Sequence, residues 1–307
     1  MNDFNVASTA DLEQHNQPQL FPIREVAQQT GVNPVTLRAW ERRYGLIQPQ
    51  RSAKGHRLYT LEHIAQIRKV LDWLERGVAV SQVKPLLDEQ TSTHSTENSP
   101  WRAQQDEWFA WIEQLAERKI DTGFKQAMAL YPPETLCQHL FLPLLAKLQQ
   151  HWTATDGARV EQVFFMTWLR TQLASRIAQN NRLHNSAPLL IVALSEQIMD
   201  PELWLCGWLA SYSECPVRVL EWPIPAPDLI LAVNRIQPRA LLLHGSQRLN
   251  IEQLKKSLIG VTCPQLLAGQ AVLIHQEELE EFSQLTCSTD PLQTYHNLLN
   301  LKLLQHY

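Results

Sequence analysis

From Pro188 to the end of the chain, short apolar runs alternate with amphipathic stretches. LLIVAL precedes a helical pattern from Leu203 to Tyr212, VRVLEW one from Leu229 to Ile236, and ALLLH one from Leu254 to Leu258. QLLAG then leads to a helix around Glu277 to Phe282, and Gln284 to Cys287 to a final helix reaching Tyr307. Five strand-then-helix repeats predict a parallel, doubly wound sheet of flavodoxin-like type over 187–307. Over 101–186 the apolar positions change to helical spacing, with Trp108, Ile112 and Leu115, then Leu136, Leu140, Leu144 and Leu148, then Val160, Phe164, Trp168 and Ile177. This spacing predicts a helical bundle. Residues 88–100, DEQTSTHSTENSP, hold no Leu, Ile, Val, Phe, Trp or Tyr. Such a stretch cannot join a packed element and reads as a linker.

Ahead of the linker the pattern over 20–87 predicts an α+β winged helix-turn-helix. Ile23, Val26 and Ala27 share one helical face, and Gly31 can take the positive φ of a tight turn. Asn33 followed by Pro34 is an N-cap and first-turn pair opening a second helix. Small Ala27 lets the two helices cross closely, and Leu37 anchors the second one. At about 100° per residue, Leu37, Trp40 and Tyr44 face inward, while Val35, Arg38, Ala39, Arg42 and Arg43 face outward. The loop QPQRSAKGHRLY fits a two-stranded wing, after which Thr60 caps a helix with Leu61, Ile64, Ile67, Leu71 and Leu74 inward. Residues 1–19 are polar and acidic and read as a disordered arm.

Charge sharpens this division. The chain of 307 residues has a formal net charge of −4, yet residues 20–85 hold 11 Lys+Arg against 5 Asp+Glu. A basic module joined to an acidic body is the expected footprint of nucleic-acid binding. The candidate DNA-contacting residues are Val35, Thr36, Arg38, Ala39, Arg42 and Arg43 on the second helix, with Arg51, Lys54, His56, Arg57 and Tyr59 on the wing. Five scattered cysteines without a C-x-x-C pair indicate neither a disulfide framework nor a zinc site. No run approaches the roughly 20 apolar residues of a membrane span, and the start lacks a signal-peptide pattern, so a cytoplasmic protein is expected. No nucleophile elbow, P-loop or G-x-G-x-x-G occurs, and no catalytic or metal-binding residue is expected.

IREVAQQTGVNPVTLRAWERRYGLIQPQRSAKGHRLY with the Thr60 to Gly77 helix resembles the MerR-type winged-helix domain over about 70 residues. PVTLRAWERRYGL with GHRLY is most similar to its subgroup of curli and biofilm regulators and light-sensing cobalamin regulators. The resemblance implies a homodimer at double-stranded promoter DNA, acting on RNA polymerase there, and control by proteins of cyclic-di-GMP signalling. The metal and redox sensors of the family use cysteines after the DNA-binding domain, and here none precedes Cys137.

Residues 100–307 are similar to the family's cobalamin-binding module, with each element eroded. A Trp followed some ten residues later by Glu-His becomes Trp152 with Glu161 and Gln162. The acidic-x-His-x-x-Gly motif after the first strand becomes Leu194 to Gly207, which contains no histidine, and the paired glycines of the tail pocket become Gly269 and Gln270. Trp152, Glu161, Gln162 and Gly269 are therefore degenerate cofactor positions, and no cofactor is expected. The resulting expectation is a MerR-family transcriptional regulator whose second half serves protein contact or dimerisation. The alternative is an effector sensor that binds cobalamin or another small ligand in that half.

Overall fold

The computed structural model describes residues 19–88, 100–195 and 199–304, and the chain divides into two units, Met1–Thr93 and His94–Tyr307. Nearly all of the expected arm and of the linker lies outside the described residues.

In the first unit, β1 (Phe21–Pro22) leads into α1 (Ile23–Thr30) and α2 (Pro34–Ala39), which runs on into a π-turn at Trp40–Tyr44. Then follow β2 (Gln50–Arg51), β3 (Arg57–Tyr59), α3 (Leu61–Glu75) and α4 (Val80–Asp88). Gly31 closes α1 at φ +70°, its N–H donating to the Ala27 carbonyl. The strands form an antiparallel sheet ordered β1-β3-β2, so β3 is central. Val26, Leu37, Trp40, Ile64, Ile67, Val70 and Leu74 make the core. Leu61, expected inward, is 58% exposed and Leu71 half-buried; Val70 takes the inner position instead. Leu61 is the first residue of α3, and the buried face of that helix runs through Ile64, Ile67, Val70 and Leu74.

The second unit begins with α5 (Pro100–Glu113), α6 (Glu117–Leu130), α7 (Pro133–Leu136) with a π-turn at Cys137–Phe141, α8 (Leu142–Ala154) and α9 (Arg159–Asn181). Gly123 lets α6 meet α5, since a Cβ there would stand 2.7 Å from the Trp111 ring. The bundle interior is aromatic: Trp108 meets Trp168 and Phe141 at 6.0 Å, and Phe141 meets Trp208 at 5.7 Å, each edge-on. Val160 is exposed and Phe164 half-buried, with Phe165, Trp168, Leu169, Leu173 and Ile177 forming the inner stripe of α9. Trp168 and Ile177 thus hold the inward positions expected of them, while Phe165 takes the place expected of Phe164 and Val160 faces out.

The rest alternates as β4 (Leu189–Ala193), α10 (Pro201–Tyr212), β5 (Val217–Leu220), α11 (Ala226–Ile236), β6 (Ala240–His244), α12 (Ile251–Leu258), β7 (Gln265–Ala268), α13 (Ala271–Ile274), α14 (Gln276–Leu279), β8 (Leu285–Ser288) and α15 (Pro291–Asn300). All five strands are parallel in the order β5-β4-β6-β7-β8, and β4 and β6 are buried throughout. A parallel sheet covered on both faces requires such unbroken apolar runs. The final helix ends at Asn300 rather than continuing to Tyr307.

Candidate nucleic-acid interface

The interface is built on α2. Asn33 Oδ1 accepts the N–H groups of Val35 at 2.8 Å and Thr36 at 2.9 Å, which fixes the helix start directly after Gly31. Val35 is 57% exposed, Arg42 and Arg43 are exposed, and Arg38 is half-buried. Arg42 Nε lies 3.4 Å from the Arg38 carbonyl, so the two arginines stand one turn apart on one face. Thr36 and Ala39 were expected among the DNA-facing residues. Both are buried, Thr36 completely, because α2 packs on more than the Leu37–Trp40 side.

The wing joins this helix through a residue the sequence reading passed over. Glu41, in the π-turn, accepts from Arg51 Nη2 at 2.9 Å and from Arg57 Nε in a still shorter contact. Arg51 also reaches the Gly55 carbonyl at 3.3 Å across the wing turn. Lys54 and His56 are exposed at the tip, and Gly55 turns the chain at φ +79° with open space around it. Tyr59, expected to reach DNA, is 1% exposed. It sits on the central strand opposite Phe21, and burial, then Glu41, pushes its phenol up to about 12. The hint in the sequence was an acidic residue inside the arginine-rich WERRY.

The second unit offers a different place for a ligand. In a doubly wound sheet ligands bind outside the carboxyl ends of the strands where the order reverses, here between β4 and β6. That crevice is filled by the chain itself. His244, ending β6, is 2% exposed, and its Nδ1 lies 3.2 Å from Asp200 Oδ2 in the stretch after β4. Its Nε2 is turned towards Gly269, where a Cβ would stand 3.1 Å away and 2.5 Å from the Gly245 carbonyl oxygen. The space left beside Ser195, Asp200, Trp204 and His244 is about 10 Å³, room for no more than a water. A corrin held through an axial imidazole needs a histidine nitrogen that the metal can reach, and these residues do not fit that demand.

The other degenerate positions are also engaged. Glu161 pairs with His151 at 3.0 Å, Gln162 accepts from Arg159 at 2.9 Å, and the Trp152 ring lies 6.4 Å from Phe165. His296 likewise pairs with Glu134 at 2.6 Å, and His139 stacks on Trp101. Between α8, α9 and Met199–Glu202 lies a cavity of about 440 Å³ lined by Leu145, Arg159, Gln162, Met166 and Glu202. Burial pushes the Glu202 carboxyl up to about 7. Among the described residues no group of three or more His, Cys, Asp or Glu could hold a metal ion, and no helix is long and apolar enough to cross a membrane.

The family model for MerR HTH family regulatory proteins matches residues 21–90. The chain is 36% identical over 202 residues to the HTH-type transcriptional regulator MlrA of Escherichia coli (strain K12), covering 66% of this chain and 79% of that protein. It is 24% identical over 287 residues to the HTH-type transcriptional repressor CarH of Myxococcus xanthus, covering 86% of this chain and 93% of that one. A cobalamin-binding protein from Desulfitobacterium hafniense DCB-2 aligns in three dimensions with 64% of this chain and 97% of its own at 13% identity. Its TM-score of 0.34 is too low to bear on the chemistry here.

Proposed function

The chain belongs to the MerR family of helix-turn-helix transcriptional regulators, and from that premise we propose that Val35, Arg38, Arg42 and Arg43 read operator bases while Arg51, Lys54, His56 and Arg57 hold the flanking phosphates. The observation that carries this is α2 itself: Asn33 fixes its start, Leu37 and Trp40 bury one side, and three arginines stand on the other. Residues 20–87 are the DNA-binding domain in this reading. The bundle of 101–186 and the sheet of 187–307 supply dimerisation and protein contact, with cyclic-di-GMP signalling proteins among the candidate partners. The protein acts in the cytoplasm on RNA polymerase at promoters and catalyses no reaction. Genome-wide footprinting of the wild type against Arg42→Ala tests the assignment. Discrete sites lost in the variant are expected, and identical occupancy by both proteins would refute it.

The second reading, an effector sensor, draws on the 440 Å³ cavity, which lies within the usual size range of small-molecule sites. In this reading the ligand is not held through an axial imidazole, since His244 is buried against Asp200 and no histidine among the described residues lines the cavity.

A further inference from the structure

β2 and β3 pair through Gln50–Leu58 and Arg51–Arg57, and the turn beyond adds the Ser52 N–H to the His56 carbonyl. β2 is a two-residue edge strand, held to the sheet through β3 alone, and like charges directly opposed across antiparallel strands repel. Arg51 and Arg57 are such a pair, and both their guanidinium groups converge on the one carboxylate of Glu41, 15% exposed, at the end of the recognition helix. Arg51 spends Nη2 on Glu41 and Nη1 on the Gly55 carbonyl. Arg57 spends Nε, which leaves the Nη fork for a phosphate oxygen.

We infer that Glu41 is the positioning residue of the DNA interface: it cancels the repulsion within the wing, locks the wing to the recognition helix, and so sets the distance between base-reading and phosphate-holding groups. The inference rests on the DNA-reading function proposed above. It opposes the simplest electrostatic expectation, by which an acid beside a phosphate-binding surface only weakens binding and its removal tightens it. A rigid constellation discriminates between sequences because it pays little to adopt the bound geometry, whereas loose arginines bind any phosphate backbone.

The test uses the full-length chain with two probes, a duplex selected from a random pool by the wild type and a scrambled duplex of the same composition. Glu41→Gln keeps the side-chain shape and removes the charge. The ratio of selected to scrambled affinity should fall at least tenfold, while scrambled binding holds or rises and its salt slope steepens by about one to two as the arginines are freed. Without DNA, the Ser52 and Gly55 amides, bonded within the wing, should exchange hydrogen at least tenfold faster, with α3 amides unchanged. Tighter binding with undiminished discrimination would reduce Glu41 to a counter-charge and overturn the inference. So would wing and α3 amides accelerating together, or a variant that fails to fold, since a clamp on an exposed hairpin should be dispensable to the core. A wild type that selects no sequence would defeat the DNA-reading assignment instead, and the exchange data would still judge the clamp.

Discussion

Arg42 and Lys54 differ in what surrounds them, and the difference separates reading from gripping. Arg42 is seated one turn from Arg38 on a helix with a fixed start, whereas Lys54 stands exposed at a wing tip. Arg38→Ala or Arg42→Ala should therefore cost about 1 to 3 kcal/mol on the selected duplex, the worth of a lost base contact, and little on the scrambled one. Lys54→Ala should weaken both duplexes alike and lower the salt slope by about one. A salt titration by anisotropy checks both, and equal losses from all three variants would erase the distinction. Thr36 carries the opposite prediction. Its hydroxyl is buried without a hydrogen-bond partner among the described residues, so Thr36→Val removes a polar atom that the fold leaves unsatisfied. Melting temperature should hold or rise with DNA affinity unchanged, and a loss of affinity would return Thr36 to the interface.

At the scale of elements, α3 has a start that depends on protonation. Thr60 Oγ1 accepts from the His63 N–H, and His63 Nδ1 accepts from the Thr60 N–H, a capping box with imidazole where Glu or Gln is usual. Burial lowers the His63 pKa, so the folded chain favours the neutral ring that can accept. This contribution is present above the ordinary imidazole value of about 6.5 and is lost as pH falls through it towards the lowered folded value. The first unit should melt at lower temperature as the pH drops from 7.5 to 5.5, and His63→Gln should flatten that dependence. Parallel pH profiles for wild type and variant would show that the cap is not the titrating element.

The same elements show what could be read from the chain alone. Gly31, Asn33 and Pro34 announce their turn because each has a conformational duty at a fixed offset, and the runs of β4 and β6 announce a parallel sheet because both faces are covered. Facing was harder. A regular helical wheel misses the wider turn at Trp40–Tyr44, in which each residue advances less than in an α-helix. Tyr59 shares a strand face with Arg57, but it lies opposite Phe21 at the end of the central strand that α1 and α3 cover, and hence inside. Glu41 and the pairing of Asp200 with His244 join residues 10 to 44 positions apart, which periodicity cannot reveal.

On the scale of the whole molecule, a winged helix reads a half-site, and a regulator needs two. A fragment of residues 1–90 should fold as a monomer and bind the selected duplex far more weakly than the full chain. Sedimentation and a binding titration check this, and a dimeric fragment with full affinity would move the dimer contact out of the second unit. The second unit should also leave adenosylcobalamin and methylcobalamin unbound at micromolar concentrations. Gel filtration monitored at the corrin absorption band decides the matter, and stoichiometric co-elution would mean that Asp200 and His244 open for the metal. Of the ten tryptophans only Trp40 and Trp73 lie in the first unit. The ladder from Trp168 through Trp108 and Phe141 to Trp208 links bundle to sheet through rings about 6 Å apart. Indoles that close and that rigid couple optically, giving intense near-ultraviolet dichroism that collapses when fixed packing is lost while helix content persists. The chain carries its own label-free gauge of whether bundle and sheet stay locked, readable in the same cuvette as a titration with DNA.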